Sequence, residues 1–312
     1  MAREAWYHDV AMADFAESFP LPNGYDLRRT MWLSGLGYGD PARRYDGQQV
    51  LLGFHTPDGA VSVSANVHER ELPVQCWGGG AEWITPKLQD LFGLHDDPTV
   101  FKPEGKLGKL LREVPGIHLP RLPLQFERLV QIVLQQLVSW ADACRGWKML
   151  VERFGVEAPG PNDLRMGPSP KVLQKLGYSD LVACGIMPKQ ARLILQLAKE
   201  SKRIERLATS DRERFVAYLN SIRGVGEWTI QYLLGTGLGD PDAVMVGDYG
   251  LPNTVSWFFA EKPRSNDEEM LELLEPYRGH RFRVINALMQ AGIRAPKFGP
   301  KMRTNRWRFT TK

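Results

Sequence analysis

Apolar and polar positions change their period partway along the chain. In "QQVLLGFHTPDGAVSVSANV", Val50, Leu52 and Phe54 alternate with their neighbours, Pro57-Asp58-Gly59 makes a turn, and Val61, Val63, Ala65 and Val67 alternate again. Period-two spacing on both sides of a Gly-containing turn predicts a β-hairpin. Further turn punctuation follows at Gly78-Gly79-Gly80. Residues 1–103 are therefore expected to form an α+β domain built on an antiparallel sheet.

From Leu119 the period becomes helical. Phe126, Leu129, Val130, Val133, Leu134, Leu137 and Val138 fall at i, i+3, i+4, i+7 spacing. The segments "SPKVLQKLG", "MPKQARLILQLAKE", "SDRERFVAYLNSI" and "NDEEMLELLEPY" read likewise, joined by short Gly/Pro breaks. Ser210 with Glu213 three residues later predicts a capping box. Residues 104–292 are expected to be all helical, with 293–312 as a basic C-terminal tail.

One break between helices is unusual. The helix from Asp211 must end at Gly224, and another begins near Glu227 and ends near Gly235, so "RGVGEWT" joins them through two glycines one residue apart. Gly224 and Gly226 permit positive φ and leave backbone uncovered. Exposed N–H groups at the start of the second helix form an anion site aided by the helix dipole. Such a site suits a nucleic-acid phosphate, a contact that carries no base sequence. The same GxG pattern also fits an ordinary tight turn between helices.

Composition narrows the class. Hydrophobic residues make up 43% and charged residues 24% of 312, ordinary values for a soluble globular protein. No run approaches the ~18 apolar residues of a membrane span, and the acids in "MAREAWYHDVAMADF" argue against a signal peptide. Cys76, Cys144 and Cys184 are odd in number and far apart, which fits reduced thiols in a cytoplasmic setting and gives no metal spacing. The net charge of +4 hides an asymmetry. Nine Lys or Arg and no acid lie from Arg281 onward, while the rest of the chain holds 31 basic and 36 acidic residues. A basic end on an acidic body suggests a polyanionic partner, although a solvated tail would have the same composition. Trp307 and Phe309 interleave with its arginines, a pattern used to contact nucleic acid.

Downstream of the hairpin, "EWTIQYLLGTGLGDPDAVMVGDYGLPNTV" carries Asp248 in a Gly-flanked turn twenty residues after Trp228. Hairpin, Gly/Pro-rich loop and aspartate together resemble the helix-hairpin-helix (HhH-GPD) DNA glycosylase superfamily, and within it the bacterial 3-methyladenine DNA glycosylase II (AlkA) type. The resemblance runs from about Leu91 to Gly292, including "LPLQFERLVQIVLQQLVS" and "PYRGHRFRVINALMQAG". It implies an N-terminal antiparallel-sheet domain followed by a mainly α-helical, two-lobed glycosylase region with its hairpin at 223–228. Four positions depart from the family pattern: Arg223 and Val246 stand where proline is usual, Gln135 where glycine is common, and Tyr277 where tryptophan is found.

The resemblance also implies roles. A base must leave the stack before it can be cut out, and Leu137, after Gln136, would be the wedge that fills the gap. Trp228, Tyr232 and Tyr277 would line the base pocket, where electron-rich rings attract cationic alkylated bases. Asp248 would be the catalytic carboxylate facing a developing sugar cation. Arg223, Gly224, Val225, Gly226 and Glu227 would hold a phosphate. Each residue has a plainer use: Leu137 and the aromatics as core, Asp248 as a helix N-cap. Trp228 occupies the position where glycosylase-lyases of the superfamily carry a Schiff-base lysine, so a monofunctional enzyme is implied. The cysteine spacing excludes the iron–sulfur branch. No cofactor is implied beyond a structural monovalent cation at the hairpin. The expected partner is double-stranded DNA with a damaged, alkylated base, met by a monomer in the bacterial cytoplasm beside the nucleoid. Oxidised or deaminated bases are alternative substrates, and a non-catalytic DNA-binding module is the alternative class, distinguished by its having no use for Asp248.

Overall fold

In the computed structural model, residues 13–296 are described, apart from 38 and 47. The alternating segment forms strands as its pattern predicts. β1 (Phe15–Pro20) precedes helix α1 (Leu27–Met31), and β2 (Arg43–Asp46), β3 (Gln49–Thr56), β4 (Gly59–Asn66) and β5 (Glu71–Trp77) follow. They make one antiparallel sheet in the order β1-β5-β4-β3-β2. Thr56 pairs with Gly59, so Pro57 and Asp58 form the hairpin turn. Val50, Leu52, Phe54, Val61, Val63 and Ala65 are buried in the sheet's core with Met31, Leu72 and Phe92. Ser62 and Ser64, on the alternate positions of β4, are buried too. The second face is covered: Ser62 Oγ donates to the Pro159 carbonyl at 2.5 Å.

The remainder is mainly helical: α2 (Gly105–Glu113), α3 (Phe126–Val133), α4 (Trp140–Phe154), α5 (Pro188–Ala208), α6 (Arg212–Asn220), α7 (Glu227–Gly237), α8 (Leu251–Ala260), α9 (Asp267–Leu274) and α10 (Arg281–Gln290). The expectation of helices alone needs one correction. A ribbon of β6 (Val156–Glu157) and β7 (Arg165–Met166) interrupts them, and buried Met166 packs against Gly53 of β3. Three boundaries also differ. The apolar run from Phe126 stops being helical at Val133, so Leu137 and Val138 are not on the helix face. Asp211, not Ser210, caps α6 by accepting the Arg214 N–H; the Ser210 hydroxyl turns back to the Leu207 carbonyl. Helix α7 runs to Gly237, two residues beyond the expected stop.

The helical core gathers Trp147, Leu150, Phe215, Leu219, Leu233 and Phe282. Burying such side chains contributes roughly 1.5–3 kcal/mol each. Polar groups tie the sheet to it. Asp40 accepts the N–H groups of Leu36 and Ala42 and the Trp147 indole N–H, and Arg43 pairs with Glu127 at 3.2 Å. Glu205 of α5 accepts the N–H groups of Gln125 and Phe126, so a neighbouring helix caps α3.

Candidate nucleic-acid interface and active site

Two turns meet where α3, α5 and α7 converge. In the first, α3 ends at Val133 and the chain reverses through Leu134–Val138 into α4, capped by Ser139. Leu137 sits at φ 59°, in the left-handed region, and is 90% exposed. A left-handed residue with a Cβ costs about 1–2 kcal/mol, and an exposed leucine returns nothing for it by burial. Neighbours hold the turn in place. Gln190 Nε2 donates to the Leu134 and Gln136 carbonyls, and Gln136 Nε2 donates to the Gly224 carbonyl at 3.0 Å and Thr229 Oγ1 at 2.9 Å. Of the expected wedge pair, only Leu137 projects outward. Gln136 is a strut onto the second turn.

That second turn is the predicted hairpin. Ile222 and Val225 are buried and anchor it from below, so Val225 presents backbone rather than side chain. Gly224 takes φ 97°, as its freedom allows. Gly226 does not use that freedom: at φ −104° and ψ −179° it is the extended N-cap of α7, without a side-chain capping bond. The first-turn N–H groups of α7 therefore point outward uncapped. Arg223 and Glu227 are exposed on either side.

Behind the hairpin, Trp228 and Tyr232 lie one turn apart on α7 with ring centroids 5.3 Å apart. Trp228 Nε1 donates to Asp248 Oδ2 at 2.9 Å. Asp248 Oδ1 accepts the N–H groups of Gly250 and Leu251, both at 2.9 Å, at the start of α8. The two oxygens thus have separate employments, one capping α8 and one facing the aromatic pair. The loop carrying Asp248 is held by buried Val244 and Met245 and by the Gly247 N–H, which donates to the Asp267 carboxylate. Tyr232 is buried, which pushes its hydroxyl pKa up; the Arg128 charge pulls it down and Asp248 pushes it up.

The remaining expected residues lie elsewhere. Tyr277 stacks on Phe259 at 5.4 Å and meets Phe101 edge-on at 6.2 Å. Among the described ring contacts none joins Tyr277 to Trp228 or Tyr232. Of the basic end, Arg281 pairs with Asp242 and Arg283 with Asp96, so both serve internal ion pairs. Lys297–Lys312, with Trp307 and Phe309, lie outside the described residues. Among the described residues, no group of three or more His, Cys, Asp or Glu is placed to hold a metal ion, and no helix is long and apolar enough to cross a membrane. Three side chains escaped the sequence reading: Tyr249, 93% exposed beside Asp248; Trp140, exposed at the first position of α4; and Arg128, buried behind Tyr232. Exposure leaves no periodic signal for the first two, and an arginine between apolar helix positions gives none for the third.

Comparison with known proteins finds a family likeness over the helical region. Residues 130–278 match the model described as HhH-GPD superfamily base excision DNA repair protein, and this span holds both turns, Trp228, Tyr232 and Asp248. The matched span, just under half of the chain, is similar to that superfamily. DNA-3-methyladenine glycosylase 2 of Escherichia coli strain K12 is 28% identical over 52% of this chain, and the matched segment spans only 58% of that relative. DNA-3-methyladenine glycosylase of Bacillus subtilis strain 168 is 27% identical over 66% of this chain and 70% of its own. Among solved structures, 3-methyladenine DNA-glycosylase from Archaeoglobus fulgidus superposes with a TM-score of 0.76 at 24% identity, covering 88% of this chain and 97% of that one. The fold shared with that structure therefore extends over the N-terminal sheet as well as the matched helical span.

Proposed function

We propose that this chain is a monofunctional DNA N-glycosylase that flips a damaged, alkylated purine out of duplex DNA and hydrolyses its glycosidic bond. The observation that carries the reading is the Asp248 carboxylate, hydrogen-bonded to Trp228 within one turn of an uncapped helix N-terminus. In this reading the N–H groups at Gly226–Glu227, with Arg223 beside them, hold a backbone phosphate. Leu137 enters the vacated stack, where an apolar wedge stabilises the kink against an unstacking cost of a few kcal/mol. The displaced base rests against Trp228 and Tyr232; Tyr277 contributes from the rim, through its packing on Phe259.

As the C1′–N bond breaks, the electron pair leaves with the base and the sugar becomes oxocarbenium-like. Asp248 Oδ2 stabilises that cation and takes the proton of the water that adds to C1′. Trp228 cannot form the imine that a lyase step needs. A monovalent cation at the hairpin would rest on main-chain carbonyls; those of Ile222 and Gly224 already accept hydrogen bonds from Val225 and Gln136, and no step runs through it. The working unit is a monomer of three parts, 1–103, 104–292 and 293–312, acting on DNA in the bacterial cytoplasm beside the nucleoid. The departure at Tyr277, with its ring contacts away from Trp228, supports oxidised or deaminated bases as a second reading.

The test is Asp248→Asn. The amide oxygen still caps α8, since Asn caps nearly as well as Asp, and only the charge is lost. Single-turnover excision is expected to fall about 10²–10³-fold with lesion-duplex affinity and thermal midpoint close to wild type. Near-normal excision would reduce Asp248 to a helix cap and remove its catalytic role.

A further inference from the structure

Arg128 has no part in the reaction as described, yet its guanidinium lies 5.3 Å from the centroid of the Tyr232 ring. The residue is 1% exposed. Its Nε donates to Thr236 Oγ1 at 2.9 Å, and its Nη1 donates to Gln131 Oε1 at 3.2 Å and the Gly35 carbonyl at 3.4 Å. All three acceptors are neutral. The nearby Glu127 is engaged by Arg43, and Asp40 by two backbone N–H groups and Trp147. An arginine stays protonated even when buried. Without a carboxylate bonded to it, its field reaches its surroundings through a medium that screens far less than water. The Tyr232 hydroxyl thereby feels both the Arg128 cation and the Asp248 carboxylate, with opposite effects.

We propose that Arg128 tunes the pocket toward purine lesions that are uncharged in the nucleotide, by fixing a cation behind Tyr232 where the departing base gathers negative charge. The inference rests on the base-excision reading above and, within it, on the second reading, in which deaminated bases are substrates. A base such as N7-methylguanine is cationic before cleavage and leaves neutral, so a cation behind the pocket opposes its binding and gives nothing to its departure. A deaminated purine such as hypoxanthine is neutral before cleavage. When its C1′–N bond breaks, the electron pair stays on the ring nitrogen and the base leaves as an anion until it is protonated. Water supplies the oxygen to C1′ and its proton to Asp248. The fixed cation stabilises only this second kind of departure, because its effect grows with the charge that develops.

The experiment measures single-turnover excision by the full chain on two duplexes, one with hypoxanthine and one with N7-methylguanine, using wild type, Arg128→Lys and Arg128→Gln. Arg128→Gln is expected to lower the hypoxanthine-to-N7-methylguanine rate ratio by about tenfold, while Arg128→Lys keeps most of it. A role in packing alone would slow both substrates alike and leave the ratio unchanged, which overturns the inference but not the glycosylase reading. If Arg128→Gln does not fold, the wild type decides: a larger acceleration over spontaneous loss for hypoxanthine supports the proposal, and a larger one for N7-methylguanine overturns it. Excision of neither base, nor of any other lesion, overturns both readings together.

Discussion

The turn at 222–226 reverses the chain through Gly224 at φ 97°, whereas the turn at 134–138 reverses it through Leu137 at φ 59°. Both connect helices of the same core, and the Gln136 amide joins them by donating to the Gly224 carbonyl. Glycine adopts the left-handed region without a Cβ penalty; leucine does not. The first turn is what folding alone would select. The second combines backbone strain with an apolar side chain 90% exposed, two features that folding disfavours, and such strain persists where the surrounding structure over-determines it. A feature that weakens the fold and is propped by Gln190 and Gln136 points to a use outside the fold.

Replacing the strained residue separates fold from function most strongly. Leu137→Gly is expected to lower excision by about 10²-fold, the scale of one unfilled stacking step, while relief of the left-handed backbone raises stability by up to about 1 kcal/mol. Thermal melts and single-turnover rates on one preparation check both signs. Loss of stability together with normal excision would make Leu137 a structural residue.

The packing of α5 against the start of α3 supplies the next test. Burial pushes Glu205 and Glu127 each up to about 7, against the pull of backbone N–H groups on the first and of Arg43 on the second. A carboxyl group whose folded pKa exceeds its unfolded value holds its proton more tightly when folded. Its favourable contribution is complete below about 4.5 and is lost as pH rises through about 7. Urea midpoints should therefore fall between pH 5 and pH 8, on the order of 1–3 kcal/mol in total, with a flatter profile for Glu205→Gln. A flat wild-type profile would show that the hydrogen bonds to these carboxylates outweigh their burial.

The glycine turn is sharpened by a paired substitution. Gly224→Ala forces a Cβ into φ 97°, 3.3 Å from Leu193, and should cost about 1–2 kcal/mol of stability. At Gly226 the backbone is extended and an added Cβ meets nothing within 4 Å, so Gly226→Ala should leave stability within about 0.5 kcal/mol. Its effect belongs to the duplex: affinity should drop a few-fold for every sequence alike, because the contact is to phosphate. Unchanged affinity at moderate salt would remove the phosphate role.

The contrast between the turns also marks how far the sequence could be read. Alternation around Pro57-Asp58-Gly59 located the hairpin of the sheet because side chains on a strand must face opposite sides. The GxG at 224–226 located the turn at 222–226 because glycine is conspicuous in a sequence. Period alone placed Leu137 on a helix face, because its spacing from Leu134 and Val133 continues the helical period, and the family resemblance named it as the wedge; the helix in fact ends at Val133, where Gln190 bonds the Leu134 carbonyl. Trp228 and Asp248 are twenty residues apart, and family resemblance, not period, singled them out; their 2.9 Å contact is a product of the fold. The same holds for Arg281 and Arg283, which composition assigned to a basic end and tertiary structure pairs with Asp242 and Asp96.

Base excision is the central claim, and one measurement meets it directly. Duplexes each carrying a single defined lesion, alkylated, deaminated or oxidised, are incubated with the wild-type chain and then divided, one half heated in alkali and the other left untreated. The account predicts strand cleavage at the lesion only after alkali, because an abasic site has formed and Trp228 cannot break the strand. Intact strands after alkali for every lesion would contradict base excision, and cleavage without alkali, with a borohydride-trapped protein adduct, would contradict the monofunctional mechanism.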